Sequence, residues 1–310
     1  MNSNVNSPLR YPGGKSALTE YFSQFIIYNS IESPIYAEPY CGGAGAAVNL
    51  LLSNRVDKII LNDADISIYS FWYCIKNLGD EFIQLFEQTT INLDEWSKQK
   101  EIFEQSKKGQ VDDFLKLGFS TFYLNRCNRS GILTAGPIGG KSRESQLNAN
   151  YKIDARFNRG NLREKLLNLI KLSKKIEIYN LDALAFLKNV INNQSKAEQN
   201  NTFVYLDPPY YSQGSSLYLN YYKQGDHEDL RKFLEQETNI FKWLLSYDNV
   251  KAIKDLYHEF NIYTFYINYS AQQNKLGSEL LIQSKNSIIP ETKIIKTLKN
   301  KKQIELNELV

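Results

Sequence analysis

Short apolar runs alternate with helix-like patterns in residues 16–62. Residues 16–28 carry apolar side chains at the spacing of one helix face, which predicts a helix that begins at Ser16. Apolar runs at residues 35–38 and 58–62 predict two strands, and a small-residue segment at residues 46–52 predicts a helix between them. A strand, a helix and a second strand in this order are typical of a parallel α/β sheet.

A different pattern occupies residues 66–159, where helices rich in aromatic and charged residues are predicted, together with a stretch of glycine, proline, serine and asparagine. Strand and helix patterns then alternate again. The later predicted elements are strands at residues 176–180, 202–206, 242–246, 262–267 and 279–283 and helices at residues 183–190 and 230–235. We therefore predict one α/β sheet domain, formed by residues 1–65 and 160–290, with a mainly helical insertion. Residues 192–201 predict a surface loop, and residues 291–310 a C-terminal tail.

The composition excludes several classes of protein. With 42% hydrophobic and 23% charged residues, the 310-residue chain is typical of a folded globular protein and not of a disordered or collagen-like one. It has no signal-peptide pattern and no run of about 18 apolar residues, so we expect a cytoplasmic protein without a membrane partner. Three widely spaced cysteines and two histidines predict neither a disulfide framework nor a metal site.

The net charge of +3 is unevenly distributed along the chain. Residues 126–163 contain eight basic residues and two acidic ones, an excess larger than that of the whole chain. A basic surface concentrated in one segment is the electrostatic pattern expected for binding a polyanion such as DNA. A solvated surface without a ligand is the alternative.

A glycine-rich turn follows the first predicted strand. Gly42, Gly43 and Gly45 would let the backbone turn tightly beside a nucleotide-like ligand, and the helix behind them offers free N–H groups. The spacing differs from the G-x-G-x-x-G motif, and a simple tight turn is the alternative. Asp63 lies at the end of the next strand, where a carboxylate can accept both hydroxyls of a ribose. Its alternative role is to cap a helix that begins near Ile66.

Residues 13–16 resemble part of a phosphate-binding P-loop. That motif needs a glycine five residues before Gly14, where this chain has Leu9, and no strand precedes it. We expect instead that Tyr11 and Lys15 lie on a loop that reaches the nucleotide pocket, with a simple turn as the alternative.

The strongest chemical pattern follows the predicted strand at residues 202–206. The sequence continues with Asp207, Pro208, Pro209 and Tyr210. The two prolines are rigid and lack N–H donors, so the Pro208 carbonyl stays available as an acceptor. Asp207 and this carbonyl could together accept both hydrogens of an exocyclic amino group, and Tyr210 supplies a ring on which a base could stack.

Four motifs in this order resemble the Dam-type DNA adenine-N6 methyltransferases. They are residues 8–15 (PLRYPGGK), 38–43 (EPYCGG), 62–63 (ND) and 207–210 (DPPY). Residues 124–131 (LNRCNRSG) are similar to the family's DNA-contacting turn, and residues 246–249 (SYDN) and 279–282 (ELLI) to its late sheet motifs. The resemblance covers nearly all of residues 8–283.

The resemblance implies a Rossmann-like sheet that binds S-adenosylmethionine, with a helical target-recognition domain inserted at residues 66–159. The implied cofactor-binding residues are Tyr11, Lys15, Glu38, Pro39, Gly42, Gly43, Asp63, Asp182 and Asp207. Glu38 and the glycines would lie near the methionine end and Asp182 near the adenine; Tyr11 stands where family members often carry tryptophan. The DNA-binding residues predicted from the turn and the basic segment are Asn125, Arg126, Asn128, Arg129, Lys141 and Arg143.

The implied reaction moves a methyl group to N6 of an adenine flipped out of double-stranded DNA. Asp207 and Pro208 would hold N6, Pro209 would keep the segment rigid, and stacking on Tyr210 would stabilise the flipped base by roughly 1 to 3 kcal/mol. Acceleration would come from positioning and electrostatics, without a metal or a covalent enzyme intermediate.

Several alternatives stay open. The same fold could methylate cytosine N4 or an RNA base, or the chain could be a non-catalytic DNA-binding specificity subunit. A methylase of this kind serves beside a cognate restriction endonuclease or acts alone. Cys41 has no evident base beside it and is not expected to act as a nucleophile. His227 is expected to cap a helix. The sequence beyond residue 131 departs from Dam, so no recognition sequence is predicted.

Overall fold

The computed structural model describes residues 6–11, 13–109, 111–211, 224–236, 240–269 and 275–290, and the predicted C-terminal tail lies outside them. The described residues form a seven-stranded sheet. Its strands are β1 (Ile35–Glu38), β2 (Lys58–Asn62), β3 (Ile176–Tyr179), β4 (Thr202–Leu206), β5 (Lys242–Asp248), β6 (Ile262–Tyr269) and β7 (Lys275–Gln283). Every predicted strand is confirmed, and β1, β2 and β4 have the predicted bounds.

The strand order is β3-β2-β1-β4-β5-β7-β6. The five strands β3, β2, β1, β4 and β5 pair in parallel with their neighbours in this order, whereas β7 runs antiparallel to both of its neighbours. From β1 the chain moves to one side through β2 and β3 and then returns to β4 on the other side. Every residue of β1 and β4 is buried because these central strands are covered on both faces, which explains their continuous apolar runs.

Helices connect and cover the strands. Their bounds are α1 (Thr19–Tyr28), α2 (Gly45–Leu52), α3 (Ile66–Asn77), α4 (Gly79–Gln88), α5 (Leu93–Ser106), α6 (Phe114–Cys127), α7 (Arg143–Asn148), α8 (Arg159–Lys171), α9 (Ala183–Phe186), α10 (Lys196–Asn200), α11 (Gln224–Leu234) and α12 (Lys251–Leu256). A 3-10 turn, Lys15–Leu18, leads into α1, and a π turn, Leu187–Ile191, continues α9. In the part of the chain that is described, we find no helix with the length and apolarity needed to cross a membrane.

Side chains alternate between the two faces of the sheet, and each face has its own hydrophobic cluster. Tyr36 and Ile59 belong to one cluster, whereas Ala37 and Ile60 belong to the other, which α9, α11 and α12 cover. The first cluster continues into α3–α6, where the rings of Phe71 and Phe122 stack 6.1 Å apart. Because these helices share a core with the sheet, the boundary between residues 1–65 and the insertion stays a prediction.

Two local predictions are wrong. Residues 192–201 do not form a simple loop, because helix α10 lies within them. Ser195 and Glu198 cap this helix reciprocally, and their S-x-x-E spacing is a signal that the sequence already carried. His227 does not cap a helix, because it lies inside α11 with its ring buried and Nδ1 2.7 Å from the Tyr247 hydroxyl.

A carboxylate-rich candidate active site and a basic surface

The carboxyl ends of β1, β2 and β4 meet at one edge of the sheet, and each carries a carboxylate. Glu38 ends β1, Asp63 directly follows β2, and Asp207 directly follows β4. Because β1 pairs with both other strands, the three carboxylates lie at the point where the strand order reverses. Ligands of open α/β sheets bind in the crevice at this point. Lys15, Tyr210 and Glu279 lie beside Asp207 at this edge, and we call the three carboxylates together with these residues the strand-end site.

Asp207, the predicted acceptor, is held through both carboxylate oxygens. Oδ1 accepts a hydrogen bond of 2.7 Å from the Ser246 hydroxyl, and Oδ2 forms an ion pair of 2.8 Å with Lys15 Nζ. The Ser246 hydroxyl also lies 2.7 Å from the hydroxyl of Tyr205. Since Ser246 has one hydroxyl hydrogen and donates it to Asp207, it accepts from Tyr205. The Asp207 side chain is therefore fixed in direction, yet 24% of it stays exposed.

Lys15 is the buried cation of the strand-end site. Its side chain is 5% exposed, and Nζ lies 2.8 Å from Asp207 and 3.7 Å from Glu279. Nζ also donates to the Gly13 carbonyl at 3.1 Å and to the Tyr210 hydroxyl at 3.3 Å. Burial disfavours the ammonium, but the carboxylates of Asp207 and Glu279 outweigh it, so the pKa of Lys15 is raised. Lys15 is therefore held as a cation against the predicted acceptor.

Glu279 is a site residue that the sequence reasoning missed. It lies on β7, is fully buried, and accepts a hydrogen bond from the Tyr210 hydroxyl. A signal was present in the sequence, because a lone carboxylate precedes the apolar run Leu280–Ile282. A charged residue in a buried strand needs a partner, and nothing in the sequence identified Lys15 as that partner.

Glu38 faces the same crevice from β1. Its carboxylate accepts a hydrogen bond of 2.9 Å from the Tyr36 hydroxyl and one from the backbone amide of Ala47, in the first turn of α2. Burial raises the pKa of Glu38 to about 8, and the nearby Asp207 charge adds to this effect against the Tyr36 hydrogen bond. A bound cation would favour the ionised form.

The glycine turn is folded against Tyr11. Gly42 has a positive φ of 45°, and a Cβ at this residue would lie 2.8 Å from the Tyr11 ring, so a larger residue would strain the backbone and displace this ring. The Gly42 carbonyl accepts a hydrogen bond of 3.0 Å from Trp72 Nε1 on α3. A Cβ on Gly43 would likewise lie 3.0 Å from the Cβ of Tyr11. The structure thus brings Tyr11, Gly42 and Gly43 together as the sequence predicts.

Asp63 connects the glycine turn to the end of β2. Its Oδ2 accepts from the Gly42 amide at 2.9 Å and its Oδ1 from the Asp65 amide at 2.9 Å. Asp65, and not Asp63, caps α3. Burial raises the pKa of Asp63 to about 7, with a further contribution from Asp65. The alternative role of Asp63 as the helix cap is therefore excluded.

The other predicted cofactor and catalytic residues surround this crevice. The Pro39 carbonyl accepts from the buried Asn62 side chain at 2.9 Å, which ties β1 to β2. Pro208 is buried and Pro209 half-buried directly after Asp207. Asp182 follows β3, is exposed, and caps α9 through the amides of Leu184 and Ala185.

Two of the predicted DNA-binding residues support the turn after α6 from inside. Asn125 accepts from the Arg10 amide at 2.7 Å and donates to the carbonyls of Arg10 and Gly131 at 2.7 and 2.9 Å. Asn128 accepts from Trp96 Nε1 at 2.7 Å. Both asparagines are buried, so these contacts give them a structural role and lend no support to a direct DNA contact.

Three arginines lie together beside this turn. Arg126 donates to the carbonyls of Arg156 and Pro8, and Arg10 donates to the Asn128 carbonyl at 3.3 Å. Burial lowers the pKa of Arg126 to about 10, and the charges of Arg10 and Arg156 contribute. Backbone carbonyls therefore hold like charges close together, an arrangement that an anion would stabilise.

The remaining predicted DNA-binding residues, Arg129, Lys141 and Arg143, are exposed. Arg129 and Lys141 line a shallow cavity of about 210 Å³ together with Gly136, Pro137 and Gly140. The residues that we call the basic surface are Arg10, Arg126, Arg129, Lys141, Arg143 and Arg156.

The described residues support neither a nucleophilic role for Cys41 nor a metal site. Cys41 is buried, and burial together with the Asp63 and Glu38 charges raises the pKa of its thiol well above the usual value. The thiolate needed for a nucleophile is therefore disfavoured. Within the described ranges, no group of three or more His, Cys, Asp or Glu side chains could hold a metal ion.

Comparison with known proteins finds similarity to methyltransferases. The chain is 26% identical over 280 residues to the type II methyltransferase M.MjaIII of Methanocaldococcus jannaschii, with 82% of this chain and 88% of the relative covered. It is 20% identical over 279 residues to the type II methyltransferase M.CviBI of Paramecium bursaria Chlorella virus NC1A, with 88% and 95% covered. The solved rRNA methyltransferase aviRa from Streptomyces viridochromogenes covers 92% of this chain at 13% identity and a TM-score of 0.39, a match too loose to indicate a shared function.

The family comparison is the most specific. The sequence profile of the D12 class N6 adenine-specific DNA methyltransferases matches residues 11–270. This range includes the glycine turn, Asp63 and the Asp207–Tyr210 segment. The resemblance on which the sequence prediction depended is confirmed: the chain belongs to the D12 class of N6 adenine-specific DNA methyltransferases, and a methyl donor and a DNA substrate follow from that membership.

Proposed function

We propose that this enzyme moves a methyl group from S-adenosylmethionine to N6 of an adenine flipped out of double-stranded DNA. The observation that carries the proposal is the setting of Asp207 at the carboxyl end of β4. Both of its oxygens are held, by Ser246 and by Lys15, while part of the side chain stays open to the crevice. A carboxylate held in this way is preorganised to accept a hydrogen bond from an amino group.

The strand-end site suits a cationic methyl donor. The donor carries a sulfonium and an ammonium group, and the crevice presents the carboxylates of Glu38, Asp63 and Asp207, of which Asp207 pairs with Lys15. Glu38 would hold the ammonium group, and the ribose hydroxyls would lie near Asp63. Asp182, with one oxygen engaged in capping α9, keeps a second oxygen that could accept from the adenine amino group.

The residues of this chain then have distinct tasks. Tyr210 stacks on the flipped adenine, and Asp207 with the Pro208 carbonyl orients the N6 amino group, which Pro209 helps by keeping the segment rigid. When bound, S-adenosylmethionine would supply the methyl group for the new bond to N6, and the electron pair of the broken carbon–sulfur bond would stay on sulfur. The Asp207 carboxylate accepts the proton that N6 gives up and passes it to solvent.

The basic surface would bind the DNA backbone. Arg129, Lys141 and Arg143 are exposed and free of the buried contacts that occupy Asn125 and Asn128. Arg10, Arg126 and Arg156 add a second group of cations next to them. We therefore assign the DNA contacts of the predicted insertion, residues 66–159, to these cations and a supporting role to the two asparagines.

Methylation of DNA in vitro tests the proposal. Purified enzyme, S-adenosylmethionine and unmethylated bacterial DNA are incubated, and the nucleosides are measured by mass spectrometry. N6-methyladenine is expected with the wild-type enzyme and is lost with Asp207→Ala, whereas Asp229→Ala, which removes an exposed carboxylate on α11, keeps activity. N4-methylcytosine as the product, or methylation that survives Asp207→Ala, would contradict the proposal.

We propose further that the enzyme works beside a restriction endonuclease, because both relatives described above carry type II names. Sequencing of methylated DNA would identify the modified site. Plasmid DNA from cells that produce the enzyme should then resist an endonuclease specific for that site. Methylation scattered over unrelated sequences would argue against this role.

A further inference from the structure

Glu279 is a fully buried carboxylate at the edge of the sheet where the other strand-end groups lie. It is opposite Asp248, the last residue of β5, in the register of the β5–β7 pair. Because β7 is antiparallel to β5, the residue of β7 that pairs with the last residue of β5 lies at the edge at which the parallel strands end. A buried charge is destabilising unless close partners compensate it, so the presence of Glu279 needs a reason.

Two contacts connect Glu279 to the acceptor segment. The Tyr210 hydroxyl donates to Oε1, and Lys15 Nζ lies 3.7 Å from Oε2. The same Lys15 Nζ pairs with Asp207 at 2.8 Å and donates to the Tyr210 hydroxyl at 3.3 Å. Glu279, Tyr210, Lys15 and Asp207 thus form one connected network.

The charges in this network have a chemical consequence. With Asp207 as its only partner, Lys15 would neutralise the carboxylate that must attract the amino hydrogens. With Glu279 present, one ammonium serves two carboxylates, and one net negative charge remains beside the crevice. This charge is placed where positive charge develops on N6 during transfer, and such fixed charges are worth more in a desolvated site than in water.

We propose that Glu279 is a positioning residue for methyl transfer: it fixes the Tyr210 ring through the hydroxyl, and it preserves the negative charge of Asp207 by sharing Lys15. This inference rests on the proposed function and adds to it a residue outside the DPPY segment. Glu279 touches neither the base nor the methyl donor in this scheme, and it acts through Tyr210 and Lys15.

The test compares Glu279→Gln, Tyr210→Phe and the double variant. Glu279→Gln keeps the shape and an oxygen acceptor but removes the charge, and Tyr210→Phe keeps the ring but removes the hydroxyl. We expect Glu279→Gln to lower kcat about 10- to 100-fold, with KM for DNA and for S-adenosylmethionine within about twofold. Because both changes act on one network, the kcat of the double variant should lie no more than about threefold below the kcat of the less active single variant.

A spectroscopic measurement separates positioning from general damage. A duplex with the mapped site carries 2-aminopurine at the target position, and its fluorescence is followed on binding to the enzyme with S-adenosylhomocysteine. A base stacked on a fixed ring is quenched, so both single variants should give a brighter flipped base than the wild type. Glu177→Gln is the matched control, since Glu177 on β3 forms a half-exposed ion pair with Lys58, and it should change neither signal nor kcat.

The outcomes distinguish this inference from the proposed function. If the wild-type enzyme makes no N6-methyladenine, the proposed function is wrong. If the wild type is active and Glu279→Gln leaves kcat and fluorescence unchanged, the positioning role alone is overturned. It is also overturned if Glu279→Gln changes only KM or only thermal stability. If Glu279→Gln does not fold, Tyr210→Phe decides, because unchanged kcat and fluorescence in that variant also overturn the inference.

Discussion

At the strand ends, the buried Lys15 pairs with Asp207 and Glu279 and so holds the predicted acceptor in place, and the buried Glu38 lies near Asp207. On the turn after α6, by contrast, Arg129 and Lys141 are exposed cations around a shallow cavity. The first region is largely buried and, under the proposed function, suits a small cation and one base. The second remains hydrated and suits a long polyanion. Salt should therefore weaken binding at the basic surface strongly and the strand-end site little, because buried pairs are screened much less than exposed ones.

The largest expected effect comes from removing the acceptor charge. Asp207→Asn keeps the size of the side chain and a partner for Ser246, but loses the negative charge that orients and stabilises N6. We expect kcat to fall about 10³-fold, and the dissociation constant for DNA to stay within about twofold. Steady-state kinetics and DNA-binding titrations measure the two quantities separately. An equal loss of DNA affinity would contradict the division of roles between the two regions, since the strand-end site would then also bind the DNA backbone.

The basic surface should show the reverse behaviour. Replacing Arg129, Lys141 and Arg143 together by alanine should weaken DNA binding about 10- to 100-fold at moderate salt. If all three contact phosphates, the slope of log affinity against log salt becomes shallower by about 2.7. Affinity for S-adenosylmethionine should not change.

A matched control removes three charges elsewhere. Lys98, Lys232 and Lys251 are exposed, form local ion pairs within their helices and are not part of the basic surface. Alanine at all three lowers the net charge of the protein by the same amount. A salt slope that changes equally in both triple variants would show that net charge, and not the basic surface, governs DNA affinity.

The sequence predicts the strand-end carboxylates well because their positions follow from local pattern. Glu38, Asp63 and Asp207 each end or directly follow an apolar strand, and parallel strands place such residues at one edge. Helix α10 is not predicted, although its capping spacing is also local. That omission reflects a short polar segment whose composition favours a loop.

The contacts that could not be predicted connect residues far apart in the chain. Asn125 belongs to a turn that resembles a DNA-contacting motif, yet its side chain binds the backbone of Arg10, 115 residues away. A motif identifies where a residue lies along the chain but does not say whether its side chain faces solvent or the interior. For the same reason, the pairing of Glu279 with Lys15 appears only when β7 is placed antiparallel beside β5.

A pH series sharpens the electrostatic contrast. Burial raises the pKa of Glu38 to about 8 from an ordinary 4.5, so the folded enzyme holds this proton more tightly than the unfolded chain. The contribution of Glu38 to stability is therefore fully present below about pH 4.5 and is lost as the pH rises through 8. Because the cationic donor favours the ionised form, its affinity should rise up to about tenfold per pH unit toward pH 8 and then level off.

Glu38→Gln should flatten the pH dependence of both stability and donor affinity. Thermal unfolding of the free enzyme from pH 5 to 9 and calorimetric titration with S-adenosylmethionine provide the measurements. DNA affinity is assigned to the arginines and lysines of the basic surface and not to Glu38, so Glu38→Gln should change it little. If the variant keeps the wild-type pH dependence of donor binding, another group controls it, and Asp63, whose pKa is raised to about 7, becomes the first candidate.

The smallest expected effect lies where the two regions meet. Trp72 belongs to α3, within the predicted insertion, yet its Nε1 donates to the Gly42 carbonyl of the glycine turn at 3.0 Å. Trp72→Phe removes this hydrogen bond, worth about 1 kcal/mol, and should weaken donor binding about fivefold without changing the salt slope for DNA. Trp243→Phe, on the opposite face of the sheet, is the control for lost packing and should leave donor affinity unchanged. If Trp72→Phe also has no effect on donor binding, the insertion does not support the strand-end site through this contact, and the shared hydrophobic core alone connects the two regions.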